Sequence, residues 1–469
     1  SRPRTSAPLD VNGLFRLMKS PILWDQAYQK IASNKGAMTP GIDGKTFDGY
    51  SPEKVSSIIA RLAEGTYKPA AVRRVYIPKA DGRKRPLGIP TMEDRLVQEV
   101  VRILLNEIYE PIFHEESHGF REGRSCHTAL KGVQAVWTGV KWLVDVDVVG
   151  FFDNIDHAIL LGLLEKRISD RRFIALIRGM LKAGYMEDWR FHRTLSGTPQ
   201  GGIVSPLLAN VYLHELDEWM QNKIVGFNRG SKRTKTTEYR RYRSRVAKLR
   251  RRVEVQRASE APDNGKVASM IDEIGRQSAE LRRTPATDSF DPHYRRLRYC
   301  RYADDFLIGV IGSKAEARQI MDEVRTFLSG SLKLTVSEEK SGIHHASDGA
   351  RFLGYDVLTE CHPHPHKANF GSRRVVRRGL KDRMRLRVPR EKVLKFVNAK
   401  GWGDYDACRP TRRPALLHAS DVEIAAAYNA ELRGFATYYA LACDVKRKLN
   451  KAAKLAFQSF LCTLADKHK

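Results

Sequence analysis

The sequence predicts an α+β fold in which antiparallel hairpins are set among amphipathic helices, followed by a separate helical domain. Three observations predict it. Residues 72–79 alternate apolar and basic side chains, Asp81-Gly82 is a strong turn signal, and residues 83–89 read as the returning strand. Residues 300–311 form an apolar run interrupted by Arg301 and by the pair Asp304-Asp305, which reads as a buried hairpin with carboxylates at its tip. From Arg373 onward the pattern becomes helical and basic.

In chain order, a Pro- and Arg-containing tail leads into an amphipathic helix over residues 11–31, and the Gly/Pro/Asp-rich stretch 36–49 reads as an ordered loop. A helix follows over 52–64, then the hairpin with cationic Arg83, Lys84 and Arg85, then helical spacing over 93–109. Residues 142–149 are a β-rich run in which Asp145 and Asp147 share a face. Helices are expected over 156–166 and 171–183, and the loop 197–206 leads into another through Trp219. Between about 221 and 298 Arg and Lys dominate and core residues thin out. Such a stretch reads either as a solvated, partly disordered excursion or as a phosphate-binding arm, and its charge density favours the arm. After the Asp-Asp hairpin come a helix over 313–328 and strands over 332–336 and 351–355. Cys361, His362, His364 and His366 alternate with prolines that hold the chain extended, so this segment reads as a loop. Helices over 388–397, 420–442 and 445 to the end complete the chain, with Ser420 and Glu423 at capping-box spacing.

Composition narrows the function. The 469 residues carry a net charge of +28, and a balance this basic calls for a polyanionic partner, of which nucleic acid is the commonest. Six cysteines are scattered without a CxxC pair, which argues against a zinc knuckle or a disulfide framework. With no signal peptide and no long apolar span, the reading is a soluble intracellular protein with no membrane partner.

Two adjacent carboxylates on a buried hairpin are costly unless something cationic meets them. An isolated Asp-Asp pair is more often a solvated turn, so a third carboxylate on a comparable apolar strand decides between the readings. Asp147 supplies it. Nucleotidyl transfer needs two divalent ions, one at the attacking 3′-oxygen and one at the triphosphate, and magnesium prefers a few carboxylate oxygens plus substrate phosphates.

At these residues the chain resembles the group II intron reverse transcriptase–maturases, over nearly its whole length. PGIDG (40–44), RRVYIPKADGRKRPLGIPTMEDRLVQ (73–98), HGFREGRSCHTAL (118–130), DVVGFFDNIDH (147–157), GTPQGGIVSPLLANVYL (197–213), YADD (302–305), SEEKS (337–341), FLGY (352–355) and YNAELRGFATYY (428–439) follow the family's blocks in order. Two departures stand out: Glu122 where proline is more usual, and Ser341 where threonine is.

The resemblance implies a right-hand polymerase: an N-terminal extension and fingers over 1–140, a palm over 141–370 with the basic insertion at about 221–298, and a helical thumb, the maturase X domain, over 371–469. It implies that Asp147, Asp304 and Asp305 are catalytic and hold two Mg2+ ions, with the Val148 carbonyl as a further ligand. Asp145 competes with Asp147 on the same face. Asp147 is preferred because Phe152 then falls five residues later, where such polymerases place a gate against the ribose 2′-hydroxyl. Lys79 and Arg85 match cations that grip the triphosphate, Gln200 the incoming-nucleotide pocket, and Lys340 a lysine beside the leaving pyrophosphate. Arg373, Arg374, Arg377 and Arg378 are expected to contact template and primer. The implied function is RNA-directed DNA synthesis combined with binding of intron RNA for splicing and retromobility. Implied partners are group II intron RNA, an RNA template with a DNA primer, dNTPs and target DNA, in a bacterial cytoplasmic ribonucleoprotein or an organelle. Alternatives are a domesticated reverse transcriptase of defence or diversification, and a splicing maturase without polymerase activity. Lys469 lies where many relatives begin a DNA-binding and HNH region, so a longer natural protein is expected.

Overall fold

The computed structural model describes every residue except 1–9, 35, 79–81, 83, 188–189, 193–195, 198–200, 289–290, 361–364, 372 and 378–381. The N-terminal helix expected over 11–31 is two pieces, α1 (Leu14–Leu17) and α2 (Pro21–Ala32). Pro21 explains the break, because it has no N–H to continue α1 and its fixed φ suits the first position of a new helix. α3 (Pro52–Glu64) starts at Ser51, whose side chain accepts the Lys54 N–H, and stops at Gly65 with φ 76°. β1 (Val72–Pro78) pairs antiparallel with β2 (Lys84–Ile89). α4 (Met92–Tyr109), capped by Thr91, carries Leu96, Val97, Val100, Val101, Leu104 and Leu105 into the core at helical spacing.

α5 (Cys126–Val136), β3 (Trp142–Val146), α6 (His157–Glu165) and α7 (Arg171–Lys182) follow. β4 (Tyr185–Glu187) and β5 (Arg190–His192) extend the first sheet to the order β2-β1-β4-β5. α8 (Ser205–Phe227) is longer than expected and buries Leu207, Leu208, Val211, Tyr212, Leu213 and Leu216 on the way to the next sheet. Within the basic stretch lie two helices packed on each other, α9 (Thr237–Arg257) and α10 (Asn264–Arg283). Val246, Val253 and Val267 are buried in it, while most arginines face solvent. A thin apolar seam is enough to hold the helices when the charges point outward.

β6 (Arg296–Tyr302), β7 (Asp305–Ile311), α11 (Lys314–Leu332) and β8 (Gly342–His345) complete the central sheet, whose order is β6-β7-β3-β8. The expected strand at 332–336 is absent: α11 runs on to Leu332, and Val336 makes a single bridge to Val148. Successive residues of a strand point to opposite faces, and both faces here are covered. Val144, Val146, Phe306 and Ile308 join the N-terminal core with α4, α6, α8 and α11. Leu143, Leu307, Cys300 and Ile311 join a second core with α5 and the C-terminal elements.

Those elements are β9 (Ala350–Phe352), β10 (Tyr355–Glu360), β11 (His366–Phe370), β12 (Arg373–Arg377) and β13 (Arg383–Arg387), then α12 (Arg390–Lys400), β14 (Gly403–Asp404), β15 (Arg409–Pro410), α13 (Asp421–Tyr438) and α14 (Val445–Lys467). Residues 373–377 and 383–387, read from sequence as helical, are strands, with β12 paired to β11 and β13 to β10. β-branched Val375 and Val376, and the alternation of Met384 and Leu386, fit the pleat better than a helix. The capping box at Ser420 and Glu423 forms as expected. Tyr438 and Tyr439, at the end of α13, donate to the carbonyls of Leu353 and Gly354 and fasten the C-terminal helices to the β9–β10 turn.

Candidate active site

The register of the central sheet gathers four carboxylates at one end. Val146 pairs with Phe306 and Asp145 with Leu307, so the period-two alternation sends Asp145, Asp147 and Asp305 to one face. Asp304 occupies the turn between β6 and β7, beside Ala303 at φ 57°. Burial, and then the charge of Asp145, push the Asp305 carboxyl up to about 7. Burial, and then Asp147, push Asp145 up to about 7 as well. Asp304 is also raised, by burial and by Asp147. Self-repulsion of this kind is what a bound cation relieves.

Asp147 and Asp304 line a cleft of about 440 Å³ together with Val148, Phe152, Phe120, Arg85, Gly201, Gly202 and Lys340. Asp305 is set back beside Asp145. Asp147 is held by its backbone: its N–H donates to Ser341 Oγ at 3.0 Å, and its carbonyl accepts the Ser337 N–H at 2.8 Å. Ser341 therefore retains a hydroxyl contact at the position where threonine is more usual. Lys340 Nζ lies 3.1 Å from Asp147 Oδ2. The Val149 carbonyl is taken by Asn154 Nδ2, whereas among the described residues no donor reaches that of Val148. Crowded carboxylates with an unclaimed carbonyl form a hard-oxygen donor set that suits a divalent ion such as magnesium.

Sequence reasoning treated Arg301 as an interruption of an apolar run; the structure makes it the anchor of the turn. It is fully buried. Its Nε and Nη2 donate to Asp217 of α8 at 2.8 and 2.6 Å, Nη1 to Asn210 Oδ1 at 3.1 Å and to the Ala303 carbonyl at 2.9 Å, and Nη2 also to Ser117 Oγ at 2.8 Å. Tyr299 OH donates to the same Asp217 at 2.8 Å. Gly119 packs on the turn so closely that a Cβ there would lie 2.2 Å from Ala303 N. A charge inside an otherwise apolar strand was the available signal, since such a charge must be paired to be tolerated.

The other expected residues divide into those the cleft brings together and those that lie elsewhere. Phe152 follows a short turn opened by Gly150, packs on Phe151 and meets Phe120 edge to face at 6.4 Å. Phe120 is half-exposed with φ 57°, a costly backbone state for an aromatic residue, and sequence reading did not single it out. Gly197 and Gly201 have φ 91° and 109°; Cβ atoms would strike Phe152 O at 2.8 Å and Gly88 O at 2.6 Å, so this loop needs glycine to close against both walls. Arg85 is exposed on β2 at the cleft. Lys79, Gln200, Arg378 and Cys361–His364 lie outside the described residues. Arg374 is exposed on β12.

The model of the family described as "Reverse transcriptase (RNA-dependent DNA polymerase)" matches residues 77–239 and 275–357. The chain is 42% identical over 461 residues to "Group II intron-encoded protein LtrA" of Lactococcus lactis subsp. cremoris, covering 97% of this chain and 75% of that protein. It is 31% identical to "Putative COX1/OXI3 intron 1 protein" of Saccharomyces cerevisiae over 98% of this chain and 53% of that one. "Nuclear intron maturase 1, mitochondrial" of Arabidopsis thaliana is 23% identical, over 81% of this chain and 56% of that protein.

Proposed function

The chain belongs to the group II intron-encoded reverse transcriptase–maturases, RNA-directed DNA polymerases with a role in splicing, and from that premise we propose how its residues divide the work. The observation that carries the proposal is the convergence of Asp147, just past β3, and Asp304, in the β6–β7 turn, on a cleft walled by Arg85, Phe152 and the glycine-rich loop. Asp147, Asp304 and the Val148 carbonyl would hold two magnesium ions, which supply Lewis-acid stabilisation of the attacking 3′-oxygen and of the triphosphate. Asp305, set back beside Asp145, adds negative potential and orients the turn more than it reaches an ion. Arg85 and Lys79 grip the triphosphate through charge-assisted contacts, and Gln200 lines the incoming-nucleotide pocket. Phe152 excludes a 2′-hydroxyl. Lys340, whose Nζ lies 3.1 Å from Asp147 Oδ2, would donate a proton to the leaving pyrophosphate.

In this reading residues 1–140 are the N-terminal extension and fingers, 141–370 the palm, and 371–469 the thumb. The pairing of β13 with β10 supports moving the start of the helical part to about Arg390. The exposed arginines of α9 and α10, and Arg374 of β12, would grip RNA phosphates, template–primer and target DNA, which makes affinity salt-dependent. Among the described residues no helix is long and apolar enough to cross a membrane.

The test compares wild type with Asp304→Ala and Asp305→Ala in primer extension on an RNA template and in intron splicing. Extension should be lost while RNA binding and splicing assistance persist. Loss of both would mean that the carboxylates hold up the fold instead.

A further inference from the structure

Away from the cleft, His114, His214 and Glu218 each present a ligand atom, all within 4.8 Å of one another. His214 and Glu218 lie four residues apart on one face of α8, and His114 sits in the loop after α4. His114 Nε2 is 2.8 Å from Glu218 Oε1, and His214 Nε2 is 3.5 Å from the same oxygen. The two imidazole centroids stand 5.4 Å apart.

The supporting backbone is already rigid. The His114 carbonyl accepts Arg121 Nη1 at 2.6 Å, and buried Arg121 is itself paired with Glu110 at 2.7 Å. Buried Phe113 sets its ring against that of His214 at 5.7 Å. Among the described residues the ion-pair partners of Glu218 are these two histidines and no lysine or arginine. Burial pushes His214 down, towards the neutral imidazole. One carboxylate oxygen thus serves two rings, one of them beyond good hydrogen-bond distance.

We propose that His114, His214 and Glu218 form a binding site for a transition-metal dication of the zinc type, separate from the aspartate cluster. Two imidazoles and a carboxylate with an open fourth position are a zinc donor set, whereas magnesium prefers all-oxygen surroundings. An ion here ties the 110–121 loop to α8. That loop carries Ser117 and Gly119, which touch Arg301 and the Ala303 turn, so the ion braces the active site without entering it. His214 Nδ1 is buried without a partner, and a missing outer hydrogen bond weakens such sites by about 10–100-fold. The ion is therefore exchangeable.

The experiment adds Co2+ alone to the full chain and follows visible absorption. One equivalent should give a tetrahedral ligand-field band that Zn2+ displaces. His114→Ala and Glu218→Gln should each lose the band, while Asp304→Ala keeps it. Zn2+ should also raise the thermal midpoint of wild type but not of Glu218→Gln. Glu218 is exposed, so that variant decides the matter if His114→Ala fails to fold. No band, a band that survives in Glu218→Gln, or an equal Zn2+ shift in that variant would overturn the proposal and leave a hydrogen-bonded cluster.

Discussion

Replacing Arg301 by methionine keeps most of the side-chain volume and removes the guanidinium donors that hold the turn. The change strands Asp217 inside the protein with Tyr299 OH as its remaining contact and leaves the acceptors of Asn210 and Ala303 without their guanidinium. Breaking a buried pair by deleting one partner costs about 3–5 kcal/mol, a large share of the roughly 5–15 kcal/mol of stability typical of a folded domain. Denaturant unfolding measures this directly. The double variant Arg301→Met/Asp217→Leu should recover much of the loss, because no uncompensated charge remains buried. Primer extension should stay impaired even so, since the Ala303 carbonyl is still unanchored and Asp304 sits on an untethered turn. That split between stability and activity distinguishes positioning from mere support. A single variant that loses less than about 1 kcal/mol, the scale of an exposed pair, would refute the reasoning, as would a double variant with full activity.

Further predictions concern the cleft. Asp304→Ala should cut extension by at least about 10²–10³-fold, the cost of one electrostatic contact to developing charge, with intron RNA affinity unchanged in a filter-binding assay. Phe152→Ala should reduce discrimination between dNTPs and rNTPs by about 10–100-fold; unchanged selectivity in single-nucleotide kinetics would remove its role as a gate. Gly119→Ala forces a Cβ against the Ala303 backbone and should destabilise the protein by about 1–3 kcal/mol, read as a lowered melting temperature with weakened extension. Burial, and then the neighbouring carboxylates, push the Asp145 and Asp305 carboxyls up to about 7, well above the usual carboxylate range. Their folded values are raised, so metal-free stability should fall as pH climbs from about 4 to 7. Protons compete with the cation over the upper part of that range, so the Mg2+ concentration for half-maximal extension should rise as pH drops below about 7.

The sequence by itself determined the polymerase family, the α+β class and most helices, and it supplied the candidate carboxylates, because each is written in local pattern. A β-rich run marks β3, an apolar run marks β7, Ser420 with Glu423 marks a capping box, and Asp147 with Asp304-Asp305 marks the carboxylates proposed for the chemistry. It misjudged places where local pattern is ambiguous or overridden. Pro21 divides a helix whose apolar periodicity reads as continuous, and the arginine-rich β12 and β13 look helical until strand partners are known. Only the tertiary structure decided what the carboxylates stand among. It set Asp145 beside Asp305, gave Asp147 and Asp304 to the cleft, and turned Arg301 from an interruption into the anchor of the turn. The reason is physical: a strand's sequence states which face a side chain takes, but the energy of a buried charge depends on partners more than 80 residues away, as with Asp217 and Arg301.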